Sequence, residues 1–315
     1  MRSLFASLLT AVAATAQSAP SKGTVTLTYL GTAGWEITDG RVTILLDPYF
    51  TRVAPRSDTG SPPSRGAFRP RIDPTRPLIT DTAVVNAHVR RADYVLVHHT
   101  HYDHVMDVPY IARKTGAVVI GTESAANLMR ASGLPAAQII PVAGGEDLEL
   151  RGFSVRVLRS LHGGIPGQQF PDAPSIPRSV RPPFTFDDLA EGGSLSFLVR
   201  IGGHEILTSG SSNFIERELE GLRPDVALVG ALNRETVHDY AGRLMRVLGH
   251  PPLVLPTHWD NYFLPFDSAQ TAYRRRLDSF IAEVRAASPQ TRVVIPEYFV
   301  PFQLDDSLPR PSRRP

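Results

Sequence analysis

The sequence predicts an α/β fold in which two mixed β-sheets pack face to face with helices outside. Three observations carry that prediction. Stretches such as "TVTLTYL" alternate apolar and polar residues at the period of a strand, strands then alternate with helix-length amphipathic stretches, and this progression occurs twice along the chain. The 315 residues, 42% hydrophobic and 20% charged, are ample for a buried core and far from a disordered composition.

In order, "TVTLTYL" is a strand, "GTAG" breaks it, and "WEITDGRVTILLD" reads as a hairpin turning at Asp39-Gly40. About 51–80 is thick with Pro, Arg and Gly and aperiodic, so it reads as a long surface loop. "ADYVLV" is a buried strand, and "DVPYIARKTG" is a helix with Pro109 in its first turn and Gly116 past its end. "AVVIGT", "ESAANLMRASG" and "AQIIPV" continue as strand, helix and strand. "FSVRVLRSLH" is a strand running to His162, about 163–192 is a second Pro-rich loop, and "SLSFLVRIGGHEILTSG" is a hairpin. Helix "FIERELEGL", strand "DVALVGAL", helix "YAGRLMRVLG", strand "PLVLPTHW", the long helix "SAQTAYRRRLDSFIAEVRAAS" and a last strand "TRVVIPEY" complete the second half.

The first residues, "MRSLFASLLTAVAATAQSAP", combine one Arg, a short apolar stretch and small residues, the pattern of a secretory signal over 1–18 cleaved after Ala16 or Ser18. That leaves 19–315 as one domain, expected in a bacterial periplasm or secreted. The absence of cysteine excludes disulfides and Cys-linked lipid, and no later stretch is long and apolar enough for a transmembrane helix. Net charge +2 comes from arginine, Lys22 and Lys114 being the only lysines. No basic run is interleaved with aromatics, so nucleic acid is not an expected partner.

Chemistry concentrates in "HHTHYDH", where four of the ten histidines and Asp103 fall within seven residues at a strand end. His99 and His101 are one residue apart, so their side chains share a face and can grip one ion, while Asp103 and His104 follow a turn and can grip a second. So many imidazoles at one strand end leave nitrogens unpaired unless something binds them. Further ligands should come from other strand ends, where His162 and His258 sit. His98 points away from His99 and reads as packing or as a hydrogen-bonding support. Asp47 is either an acceptor for a ligating imidazole or a strand-end cap. His88, His204, His238 and His250 read as exposed.

"HTHYDH", followed in order by His162 and His258, resembles the signature of the metallo-β-lactamase superfamily. "YLGTAGWEITDGRVTILLDPYF" resembles the opening hairpin of the branch with the ascorbate-phosphate lactonases and N-acylphosphatidylethanolamine phospholipases D. The resemblance implies a four-layer αββα sandwich with zinc at one edge of the sheets. It groups His99, His101 and His162 as one cage and Asp103, His104 and His258 as another. One departure stands out: Ser211 in "LTSGSSNF" occupies the place of an expected bridging aspartate. Either one zinc remains, on three histidines, or both sites survive without a bridging carboxylate.

The chemistry so implied is hydrolysis of an ester, lactone, β-lactam or phosphodiester by zinc-activated water, with Asp103 orienting the nucleophile. The alternative class is a non-catalytic metal-binding or substrate-binding module that keeps the fold. Phe68, Phe170, Phe184 and Phe186, with nearby arginines, and Trp259, Tyr262 and Phe263 either line an apolar, positively rimmed pocket or pin the loops to the body. The first reading implies a small amphiphilic or acidic substrate.

Overall fold

The computed structural model describes residues 24–54, 73, 75–164 and 174–304. The expected signal segment, Phe68 and Phe170 lie outside them. The elements run β1 (Val25–Gly31), β2 (Gly34–Thr38), β3 (Thr43–Leu46), α1 (Thr82–His88), β4 (Tyr94–Leu96), α2 (Tyr102–Val105), α3 (Val108–Thr115), β5 (Val118–Gly121), α4 (Glu123–Ala131) and β6 (Ile139–Pro141). The second half runs β7 (Asp147–Leu150), β8 (Phe153–Arg159), β9 (Leu195–Ile201), β10 (His204–Ser209), α5 (Glu216–Leu219), β11 (Val226–Gly230), α6 (Tyr240–Val247), β12 (Leu253–Thr257), α7 (Thr271–Ala287), β13 (Arg292–Val293) and β14 (Pro301–Leu304).

Two seven-stranded sheets result, ordered β14-β1-β2-β3-β4-β5-β6 and β13-β12-β11-β10-β9-β8-β7. In each, antiparallel meander strands (β1 to β3, β7 to β10) give way to parallel strands joined through helices. Period-two alternation sorts the side chains. Ile44 and Leu46 of β3 enter the core between the sheets, while Leu45 enters a second core under the helices; Leu96 and Val95 of β4 divide the same way. Both faces of the sheet are therefore covered, which makes the four-layer αββα sandwich.

Several elements differ from the sequence reading. Helix α1 forms because Asp81 accepts hydrogen bonds from the amides of Ala83 and Val84, a cap that outweighs the β-branched residues inside it. The short β7 pairs with β8, and helix α5 is only one turn of the longer stretch expected. "TRVVIPEY" yields only the two residues of β13, since Pro296 cannot donate to a ladder. The chain instead returns as β14 to pair with β1, Val25 opposite Leu304. β8 ends at Arg159, so His162 lies in the loop beyond it.

Candidate metal centre

The carboxyl ends of β3, β4, β10 and β12 open at one edge of the sandwich, the usual ligand-binding edge of parallel strands. β3 ends at Asp47, whose side chain is fully buried. Its Oδ1 accepts the His98 amide at 2.8 Å, and its Oδ2 faces Nδ1 of His98 at 2.7 Å and Nδ1 of His104 at 2.6 Å. Asp47 is thus both the imidazole acceptor and the cap of the strand end. Burial alone would raise its pKa, yet His98 and His104 together draw it down to about 2. For His104 burial opposes the charge, but Asp47 and Asp103 more than compensate and raise it.

His98 follows β4 and has both ring nitrogens engaged, Nδ1 by Asp47 and Nε2 by the Thr208 hydroxyl at 2.9 Å. It packs 5.0 Å from the Phe197 ring. That is the supporting position expected of it. His99, His101 and His162 instead turn toward one another, every pair of rings at 4.8 Å between centroids and within ten degrees of perpendicular. His99 Nε2 lies 3.1 Å from His101 Nδ1. Two nitrogens sharing a tetrahedral ion at about 2.0–2.1 Å stand about 3.3 Å apart, so the pair has the spacing of co-ligands. His162 Nδ1 donates to the Gly163 carbonyl at 2.6 Å, which fixes the tautomer and leaves Nε2 free. Burial, aided for His99 by the neighbouring imidazoles, holds His99 well below the ordinary imidazole value and His162 at about 4. Both rings are neutral, as metal binding requires.

Helix α2 begins immediately after His101 and turns Asp103 and His104 into the same edge. Asp103 Oδ2 lies 3.3 Å from His258 Nε2 and 3.6 Å from His104 Nε2. His258 arrives at the end of β12. The six residues thus fall into two groups of one ligand atom each, His99 with His101 and His162, and Asp103 with His104 and His258, each group spanning no more than 4.8 Å. Five imidazoles, two of them oriented through Nδ1 by an oxygen acceptor (His162 by the Gly163 carbonyl, His104 by Asp47), and one carboxylate are a donor set suited to zinc.

Ser211 brings no carboxylate to this edge. Its hydroxyl accepts the Gly163 amide at 2.8 Å, beside His162, and Asn213 donates to the His162 carbonyl at 3.1 Å. Gly210 has no room for a side chain, since a Cβ would lie 2.5 Å from His98 Cβ. Both ligand groups therefore assemble without a bridging carboxylate.

Other expectations are redistributed. Tyr262 packs against His258 at 5.2 Å and on Phe263 at 4.5 Å, forming an aromatic wall that Tyr102 and Phe186 continue. Trp259 does not join it; buried among Tyr29 and Tyr298, it belongs to the interior. His204 is buried as well, because β10 starts on it and sets it on the same face as Ile206 and Thr208, whereas His88 and His238 are exposed and His250 is half-buried.

The sequence reading did not anticipate Asp260 and Arg52. Asp260 is fully buried two residues past His258, and its Oδ2 pairs with Arg52 Nη2 at 2.8 Å and accepts from the Tyr298 hydroxyl at 2.7 Å. Its Oδ1 accepts from the Thr32 amide at 2.9 Å and the Tyr29 hydroxyl at 3.0 Å. The available signal was a charged residue inside the aromatic stretch "HWDNYFLPF".

Residues 26–258 match the model of the β-lactamase superfamily domain. The chain is 24% identical over 259 residues to a UPF0173 metal-dependent hydrolase of Heliobacterium modesticaldum, covering 79% of this chain and 88% of that one. It is 25% identical over 273 residues to another, from Symbiobacterium thermophilum, covering 85% and 95%. Among solved structures, Igni18, a metallo hydrolase from Ignicoccus hospitalis, shares the fold at a TM-score of 0.53 and 19% identity, over 90% of this chain and all (100%) of that one.

Proposed function

The chain belongs to the β-lactamase superfamily and is a metal-dependent hydrolase, and from that premise we propose that it is an exported zinc enzyme holding two ions. The observation that carries the reading is the pair of separately formed ligand groups at one sheet edge. Zinc at such donors would supply a water of pKa near 7 and a Lewis acid for a carbonyl or phosphoryl oxygen.

The protein's own residues do the rest. His99, His101 and His162 would hold one ion, and Asp103, His104 and His258 the other. Asp103, whose Oδ2 lies 3.3 Å from His258 Nε2 and 3.6 Å from His104 Nε2, is the carboxylate that would orient the attacking water. Asp47 fixes the His104 ring through Nδ1 and leaves Nε2 for the ion. The wall of Tyr262, Phe263, Tyr102 and Phe186 supports a small substrate with an apolar portion. The bond cleaved is an ester, lactone, β-lactam or phosphodiester. Export rests on the secretory pattern of residues 1–18.

The test is turnover of chromogenic ester, lactone, β-lactam and phosphodiester probes by the purified chain, with and without a chelator. Hydrolysis of at least one, abolished by chelation and restored by zinc, is the expected result. Hydrolysis undiminished in His101→Ala would refute the assignment.

A further inference from the structure

We infer that the buried Arg52–Asp260 pair is a positioning device for His258, and so governs the ion held by Asp103, His104 and His258 without governing the other. The inference rests on the two-ion reading above. His258 adopts φ 48°, in the left-handed region that costs a non-glycine residue and persists only where its surroundings hold it. Its amide donates to the Thr32 carbonyl, and Thr32 is itself left-handed at φ 54°. The Thr32 amide in turn donates to Asp260 Oδ1. The Tyr29 hydroxyl reaches both the Thr32 carbonyl, at 2.9 Å, and Asp260 Oδ1, at 3.0 Å. One carboxylate therefore fixes the turn on which the His258 backbone rests, from one side, and is continuous with the His258 chain segment from the other.

Arg52 closes the arrangement. It too is left-handed, at φ 49°, and its guanidinium lies 4.1 Å from the Phe266 ring centre while Nη1 donates to the Asn261 carbonyl at 3.3 Å. It occupies the space over Gly31, where any Cβ would collide with Nη2. Thus the Asn261 carbonyl, the β1–β2 turn and Tyr298 all converge on one ion pair shielded from water. The three-histidine group has other supports: Gly163 for His162, and the Ser211 and Asn213 side chains for its loop. The Asp260 carboxylate itself is spent on Thr32, Tyr29, Tyr298 and Arg52, all on the His258 side of the edge.

The test uses the full-length chain as purified, in the wild-type form and as Arg52→Met, Arg52→Lys and the milder Tyr298→Phe. Zinc retained per chain is measured by mass spectrometry against rising chelator, and amide hydrogen exchange is followed at His258 and at His98–His104. The expected result is that Arg52→Met releases one ion at about ten-fold or more lower chelator concentration and exchanges faster at His258, the second ion and the His98–His104 amides behaving as in the wild type. Arg52→Lys should restore most of the difference, and Tyr298→Phe should fall between. Parallel loss of both ions, or unchanged His258 exchange in Arg52→Met, would overturn the inference. A wild-type chain with fewer than two ions would overturn the two-ion reading instead, and the exchange at His258 still decides the positioning role.

Discussion

Asp47 and Asp107 are both fully buried, yet asparagine should be costly at one and tolerated at the other. Asp47 accepts on both oxygens, the His98 amide on Oδ1 and two imidazole N–H groups on Oδ2. An amide side chain has one acceptor, so Asp47→Asn sets an NH2 against at least one N–H. The environment favours the charged form by the shift from 3.8 to about 2, worth roughly 2 kcal/mol at about 1.4 kcal/mol per unit. That figure already contains the bonds from the two imidazoles and agrees with the cost of about 1–3 kcal/mol for a buried unsatisfied donor. The expected loss is about 2–3 kcal/mol in the metal-free protein, with zinc bound about 10–100-fold more weakly because His104 loses its acceptor. Asp107 differs. Its Oδ2 accepts the Phe50 and Thr51 amides at 2.7 and 2.9 Å, while Oδ1 meets the Thr51 hydroxyl and the Thr80 hydroxyl also bonds the carboxyl; hydroxyls can accept as well as donate. Burial raises its pKa, outweighing these bonds, so a neutral amide suits the place. Asp107→Asn should stay within about 1 kcal/mol of the wild type. Urea unfolding in chelator, paired with competition titration of zinc, measures both variants. Wild-type stability and zinc affinity in Asp47→Asn, or a larger loss in Asp107→Asn, would refute the reasoning.

His162→Ala should leave one ion per chain, on Asp103, His104 and His258, as counted by native mass spectrometry. Gly210→Ala forces a Cβ to 2.5 Å from His98 Cβ and 3.0 Å from Asp47 Oδ2; overpacking of this kind costs about 1–3 kcal/mol in urea unfolding. Arg234→Met removes a guanidinium 2% exposed that holds Glu283 at 2.7 Å and the Ala231 carbonyl at 3.0 Å. Glu283 is partly exposed and regains water, so the cost should be about 1–2 kcal/mol in a thermal melt, with zinc content unchanged.

The sheets were legible because their signal is local. Ile44, Leu45 and Leu46 lie side by side in sequence and enter different cores, the mark of a strand covered on both faces. Four of the six candidate ligands, His99, His101, Asp103 and His104, were legible because so many histidines and an aspartate close together have few uses besides metal, and His162 and His258 because they follow later strands in the order of the resembled signature. Non-local features were not. β14 is defined only by its register on β1, and nothing in "PFQL" announces it. Arg52 opens an arginine-rich loop and looks like its neighbours until Asp260, fixed beyond β12, is seen to meet it. Trp259 was placed with the metal by adjacency to His258, but the left-handed backbone of His258 leaves Trp259 facing Tyr29 and Tyr298 in the interior. Ser211 was readable as a missing carboxylate, whereas its acceptance of the Gly163 amide depended on two loops meeting.

Zinc content per chain on the purified protein, beside hydrolysis by the same sample, tests the central claim most directly. The two ligand groups predict two ions per chain and turnover that vanishes as they are removed. A chain that hydrolyses its substrate with no stoichiometric metal would contradict the account.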